Sequence, residues 1–149
     1  MAPLLRLARH DESDVISSLI QSANFPPIEV EEWIDSFWVI ENDGRIAGCA
    51  GVERYGDTAV LRSVVIAPSL RGTGQGVVMT EAALDWAREN GATTCLLFTF
   101  DAVDFFRRFG FERCSFDEYD EEAREGWQYR GAMENEELRT MLIPMRLLL

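Results

Sequence analysis

Residues 67–90 read APSLRGTGQGVVMTEAALDWAREN. Arg71 precedes three glycines in five positions, Gly72, Gly74 and Gly76, and an uninterrupted amphipathic stretch follows. Glycine bares the backbone where a ligand must come close. The first N–H groups of a helix are unpaired donors at the positive end of its dipole. With one fixed cation beside them, they describe an anion site suited to phosphates. Two other phosphate-binding designs do not fit. A nucleoside-triphosphate loop needs GxxxxGK[ST], whose lysine reaches the terminal phosphates, and all 14 basic residues here are arginine. A dinucleotide fold needs GxGxxG in an early βαβ unit, with an acidic residue closing the next strand. Here the glycines stand mid-chain, and the next strand, TTCLLFTF, meets an acidic residue only in the helix that follows.

Outward from the glycines, the apolar run 59–67 reads as a central strand ended by Pro68, and 74–90 as a helix stopped by Gly91. Val77, Val78, Ala82, Leu84 and Ala87 are expected on the buried face of that helix. Before the central strand come a short strand around Leu5 and Leu7 and a helix capped by Asp11 or Ser13, with Val15, Ile16, Leu19 and Ile20 on one face. Asn24-Phe25-Pro26-Pro27 stops that helix. A short helix over 29–35, a strand over 37–41, an Asn42-Asp43-Gly44 hairpin turn and a strand over 45–54 follow. After the glycine helix come a buried strand over 93–100, a short helix over 101–109 ended by Gly110, a strand over 111–119 and a final strand over 139–149. Between the last two, 120–138 carries seven acidic residues among Trp127, Tyr129 and Met133. It reads as a solvated acidic helix or loop in preference to a substrate-covering lid. The expected class is α/β (α+β), with a single domain over 1–149 and no linker or internal repeat.

Composition narrows the function. The net charge of −12, from 26 acidic against 14 basic residues, opposes nonspecific nucleic-acid binding, because the phosphate backbone would be repelled. An acidic surface suits solubility at high ionic strength, so a salt-loving source is expected. No apolar run approaches a membrane span, and MAPLLRLARHDES turns charged too early for a signal peptide. A cytoplasmic protein with no membrane partner is the expectation. Cys49, Cys95 and Cys114 are widely separated and form no CxxC pair, and His10 is the single histidine. Disulfide framework, metal site and histidine triad are all disfavoured.

The segments LRSVVIAPSLRGTGQG and LLFTFDAVDFFRRFGFE carry a family likeness. Arg-x-x-Gly-x-Gly after a strand and a proline resembles the phosphate loop of the GNAT N-acetyltransferases, and the second segment resembles that family's N..A...Y...GF. The likeness covers roughly residues 4–116. It implies a mixed, mostly antiparallel sheet flanked by helices, with splayed central strands. It further implies that acetyl-CoA is the cofactor, its pyrophosphate held by Arg71, Gly72, Thr73, Gly74, Gln75 and Gly76. Its pantetheine arm would be hydrogen-bonded by the backbone of Val64 and Ile66, one of whose amides would polarise the acetyl carbonyl. Thr99 and Phe106 fall where the family carries its asparagine and tyrosine beside the cofactor. Phe106 has no proton to give, so Tyr119, Tyr129 or solvent must serve the leaving thiolate.

Glu53, ending the strand GCAGVERYG, is the candidate catalytic base, with a surface carboxylate as the alternative. Arg62 interrupts the apolar strand AVLRSVVIAP. It either pairs with Glu53 or clamps a substrate carboxylate, since a guanidinium fork matches two oxygens. GVERYG and TFDAVDFFRRFGF resemble the small acetyltransferases associated with arsenic resistance and the acetyltransferase part of N-acetylglutamate synthases. The implied activity is direct acetyl transfer to the amine of a small molecule, an amino acid or analogue. A non-catalytic acyl-CoA-binding module is the rival. The apolar tail MLIPMRLLL either completes the sheet internally or pairs across a homodimer.

Overall fold

The hairpin turn read from Asn42-Asp43-Gly44 takes φ of 53° at Asp43 and 76° at Gly44, the two left-handed residues that a tight two-residue hairpin needs. It joins β2 (Phe37–Asn42) to β3 (Arg45–Tyr55). In the computed structural model, which describes residues 2–149, seven strands form one sheet. The others are β1 (Leu4–Leu7), β4 (Thr58–Ile66), β5 (Thr94–Thr99), β6 (Glu112–Arg113) and β7 (Ile143–Leu148), in the order β1-β2-β3-β4-β5-β7-β6. The β1/β2, β2/β3, β5/β7 and β6/β7 pairs are antiparallel. β4 and β5 are parallel, with Thr58–Val60 against Thr94–Leu96, the first three residues of each. The helices are α1 (Ser13–Ser22), α2 (Gln75–Glu89), α3 (Val103–Arg107), α4 (Trp127–Glu134) and α5 (Glu136–Met141). The sheet is therefore mixed and mostly antiparallel, and the expected α+β class holds.

The chain divides into two compact units, one running through Glu53 and again over Leu61–Trp86, the other Arg54–Val60 with Ala87–Leu149. In the first, Ile16 and Ile20 of α1, Val30 and Ile34 pack on Phe37, Val39, Cys49 and Val65 of the sheet. In the second, Val60, Leu96, Tyr119 and Ala123 form the core with Tyr55, Phe98, Cys114 and Tyr129 around them.

Several expected elements change. α1 begins at Ser13 with Glu12 in the cap position and no side-chain cap bond. Neither Asp11 nor Ser13 caps it. The Glu12 carboxylate instead accepts from the Arg9 backbone at 2.7 Å and from both terminal nitrogens of Arg6 at 2.9 and 2.8 Å. Val15 is exposed, because Ile16 and Ile20 define the buried stripe and Val15 falls on its flank. The helix expected over 29–35 is a series of turns ending in one 3-10 turn, Ile34–Ser36. Glu29 has φ 57°, which a right-handed helix excludes.

On α2 the buried stripe is Met79, Thr80, Ala83, Leu84 and Ala87. Val78 is exposed and Val77 and Ala82 are half-buried. The strand expected over 111–119 shortens to Glu112–Arg113, with Cys114 N still donating to Pro144 O at 3.0 Å. Ser115 then caps a 3-10 turn, its Oγ accepting from Asp117 N at 3.2 Å while Glu118 Oε2 accepts from Ser115 N at 2.6 Å. That reciprocal box ends the extended run. The last strand begins at Ile143, because Asn135 caps α5 by accepting from Leu138 N at 3.0 Å and keeps Arg139 helical. The acidic segment holds α4 and the first half of α5, as a helical reading requires.

Candidate active site

The loop between β4 and α2 is built by a 3-10 turn, Pro68–Leu70. The amides of Leu70, Arg71 and Thr73 turn inward to the carbonyls of Ala67, Pro68 and Leu70, and Thr73 Oγ1 donates to the Leu70 carbonyl at 2.5 Å. Gly72 and Gly74 take φ of 78° and 83°, and a Cβ on either would meet nothing within 4 Å. Both glycines are thus demanded by backbone conformation, with open space where side chains would stand. Val78 N donates to Gly74 O at 3.2 Å, closing the first turn of α2. The amides of Gln75, Gly76 and Val77 precede it and have no partner within the helix. Arg71 is exposed, its Nε donating to Ile66 O at 3.3 Å.

β4 meets this loop with one edge free of β3. The Val65 amide hydrogen-bonds the Cys49 sulfur, and the Ala67 amide donates to Ala47 O at 2.8 Å, so both point toward β3. Successive amides along a strand face opposite edges. The Val64 and Ile66 amides therefore face away from β3, on the edge where Arg71 reaches the Ile66 carbonyl. The backbone edge of Val64 and Ile66, the Arg71 guanidinium and the first turn of α2 follow one another along the chain, and each offers N–H donors. An extended chain ending in a pyrophosphate is a ligand whose chemistry such donors match.

Beneath β4 lies a buried stack. Phe37 and Gly51 are register partners, and the ring fills the space a Gly51 side chain would need. The Arg62 guanidinium sits 5.5 Å from that ring's centre. Its Nη1 donates to Glu53 Oε2 at 3.0 Å, with the two side chains 0% and 1% exposed. Burial pulls the Arg62 pKa down, and the Glu53 charge and hydrogen bond push it back up, helped by Glu29 and Cys49. Such a pair is sustained by mutual compensation, because either charge alone would be costly there. Ser63, next in the chain, has φ 53°. That left-handed residue resets the alternation of β4, so Arg62 and Val65 both meet Phe37 and Cys49.

Glu53 and Arg62 are thus brought together with Val64, Ile66 and the loop in the first unit. Thr99 and Phe106 belong to the second. Thr99 is buried, its Oγ1 accepting from Ala102 N at 3.0 Å at the entrance to α3. Phe106 is buried edge-to-face against Phe105 and Phe111. Tyr119 stacks between Phe98 and Tyr129 and donates its hydroxyl to Leu97 O at 3.3 Å. Burial holds its pKa well above the usual phenol value. Burial likewise pushes Cys49 up to about 12 and Cys114 up to about 11, so both thiols stay protonated. Phe37 and Ser63 were not singled out from the sequence. The signal was an aromatic residue able to pair with a strand glycine, and a polar LRS interruption in an apolar run.

The model of the acetyltransferase (GNAT) family matches residues 6–111. An amino-acid acetyltransferase of Mycobacterium tuberculosis is 26% identical over 119 residues, 73% of this chain and 68% of that protein. One of Mannheimia succiniciproducens is 26% identical over 104 residues, 68% of this chain but 24% of that protein, so the match spans about a quarter of that relative. Among solved structures, Rv2747 from Mycobacterium tuberculosis, in complex with CoA and NLQ, superposes with a TM-score of 0.79 at 23% identity, covering 98% of this chain and 99% of that one. With the family match extending over β2 to β5, the glycine loop and α3, this chain belongs to the GNAT family of acetyltransferases.

Proposed function

We propose that this chain transfers the acetyl group of acetyl-CoA to the amine of a small molecule, an amino acid or close analogue, directly within a ternary complex. The observation that carries the reading is the succession of donors along the chain from the Val64 and Ile66 backbone edge through Arg71 to the first turn of α2. Acetyl-CoA brings an activated thioester, and the protein supplies the rest. The main-chain amides of Gln75, Gly76 and Val77, with Arg71, would bind the pyrophosphate, the helix dipole adding about 0.3–2 kcal/mol. The β4 edge would align the arm, and one of its amides would serve the thioester oxygen, where a fixed donor is most effective. Holding both substrates in place supplies much of the remaining acceleration.

The acid and base equipment favours an α-amine. Phe106 carries no proton, and Glu53 is closed from solvent and engaged by Arg62. Neutralising an α-amine near pKa 8 at pH 7 costs about 1.4 kcal/mol, against roughly 4.6 for a lysine-type amine. Glu53 is assigned as the proton acceptor, and Arg62 as the group that holds its carboxylate in place. In the clamp alternative, Arg62 exchanges Glu53 for a substrate carboxylate. The distant amino-acid acetyltransferases support the substrate class. High, burial-raised thiol pKa values at Cys49 and Cys114 support direct transfer without an acetyl-cysteine.

A thiol-release assay over a panel of amino acids and other amines tests this, with Glu53→Gln and Arg62→Ala beside the parent. Turnover with α-amines and a fall in kcat for Glu53→Gln are expected. An unchanged KM for amino acids in an active Arg62→Ala protein eliminates the clamp. Phe106 in place of tyrosine favours the second reading, a non-catalytic acyl-CoA-binding module, which binding without turnover across the whole panel would establish.

A further inference from the structure

At one edge of the sheet, β6 is too short to cover β7. Glu112 pairs with Arg146 and Arg113 with Met145, and Cys114 N donates to Pro144 O at 3.0 Å. Alternation along the strand then turns the main-chain groups of Pro144, Arg146 and Leu148 toward the β6 side. The same register would set Leu148 against Gly110. Gly110 instead takes φ 99° and turns its amide back to Arg107 O at 3.0 Å, while Phe111 is drawn into the core. Leu148 is left with an open main-chain edge and a side chain 69% exposed. The result is a cleft of about 340 Å³, at the small end of the roughly 300–1,000 Å³ usual for ligand sites.

Its polar lining carries both signs of charge. Arg146 Nη1 stands 3.6 Å from Glu118 Oε1, with the side chains 42% and 43% exposed. That separation is an ion pair but too long for a hydrogen bond. Glu118 is held back from closing it, because its Oε2 accepts from Ser115 N at 2.6 Å as half of the capping box. The Cys114 thiol senses both groups: burial pushes its pKa up to about 11, with the Glu118 charge adding to the rise and the Arg146 charge opposing it. Glu112 and Arg113 add a second carboxylate and a second guanidinium to the lining, and Leu147 and Leu148 an apolar wall. A lone anion in this cleft meets two carboxylates, and a lone cation two guanidinium groups. A zwitterion with an apolar body satisfies every group.

We propose that this cleft binds a free α-amino acid with an aliphatic side chain: Arg146 takes the carboxylate, Glu118 the ammonium, and Leu147 with Leu148 the side chain. The proposal is independent of the acetyl-transfer reading. The lining shares no residue with the glycine loop, Glu53 or Arg62, and it lies at the end of β7 opposite Thr94, away from the end opposite Thr99.

Cys114 reports occupancy, since it is half-buried while Cys49 and Cys95 are buried. Its slow alkylation by N-ethylmaleimide is followed by peptide mass mapping at mildly alkaline pH, without acetyl-CoA. L-Leucine is expected to slow this labelling saturably. Isocaproate, which lacks the amine, and isoamylamine, which lacks the carboxylate, should need about tenfold higher concentration or more, the scale of one lost charge-assisted hydrogen bond. Arg146→Gln and Glu118→Gln should each weaken leucine binding by a similar factor in calorimetry, with turnover on the amine panel unchanged. Glutamine still serves the capping box at position 118. The proposal is overturned if leucine leaves the labelling rate unaltered, if isocaproate protects as well as leucine, or if both variants bind leucine as the parent does. Should either variant fail to fold, the comparison of leucine with isocaproate on the parent protein decides alone.

Discussion

Arg62 and Glu53 show how much a single buried charge depends on its neighbour. Replacing Arg62 by methionine strands the Glu53 carboxylate and is expected to cost about 3–5 kcal/mol of stability, whereas the double change Arg62→Met with Glu53→Gln lies much nearer the parent. Denaturant melts of the three proteins check this, and equal losses in the single and double variants would contradict it. Glu12 makes a pH-dependent case. Hydrogen bonds from Arg6, opposed by burial and reinforced by the Arg9 backbone, hold it at about 2 rather than the usual 4.5. A depressed acid stabilises the fold above its unfolded value and loses that contribution as pH falls through the folded one. Stability should therefore decline between about pH 4.5 and 2, by roughly 2–3 kcal/mol from this group. Glu12→Gln should remove that slope from an acid titration followed by circular dichroism. The pairing of Arg62 with Glu53 was legible as one of two alternatives, because a charge in an apolar strand demands a partner. Ser63 was not legible, since a left-handed serine looks like any serine until its backbone is seen.

The glycines of the β4–α2 loop and the glycine inside α4 make opposite predictions at the level of elements. Gly72 and Gly74 hold φ near 80° with open space around them, so alanine there meets no clash but must adopt a left-handed backbone at about 1–2 kcal/mol. Gly72→Ala and Gly74→Ala should weaken CoA binding by calorimetry as the loop relaxes away from its cradle. Gly131 lies within α4, with no positive φ and nothing within 4 Å of a Cβ. Gly131→Ala should raise stability by about 0.5–1 kcal/mol and leave the melting profile otherwise unchanged. Where alternation or helical spacing ran uninterrupted, as in β3, β5 and α2, the sequence announced the element. It did not announce where short-range capping wins. Ser115 with Glu118 cuts the expected strand to two residues, and Asn135 keeps a stretch helical that reads as strand. The left-handed Glu29 replaces a helix with turns. In each case one polar side chain or one backbone sign outweighed the apolar pattern.

Charge is the property that belongs to the molecule as a whole. With a net charge of −12, self-repulsion opposes the folded state and is relieved by counterions. The melting temperature should rise as salt increases from millimolar toward molar levels, and a flat response would leave the acidic excess without that role. The family was readable from the chain because the residues that carry it, the strand, the glycine loop and the helix after it, are contiguous. Among the described residues no helix is long and apolar enough to cross a membrane. The placement of the thiols has a practical outcome. Cys49 and Cys95 are buried and Cys114 is half-buried, so a chromogenic disulfide reagent will find the small-molecule product well before the polypeptide. Continuous colorimetric monitoring of native enzyme should then start from a nearly colourless baseline, and a burst of colour before any amine is added would reveal that the interior has come open.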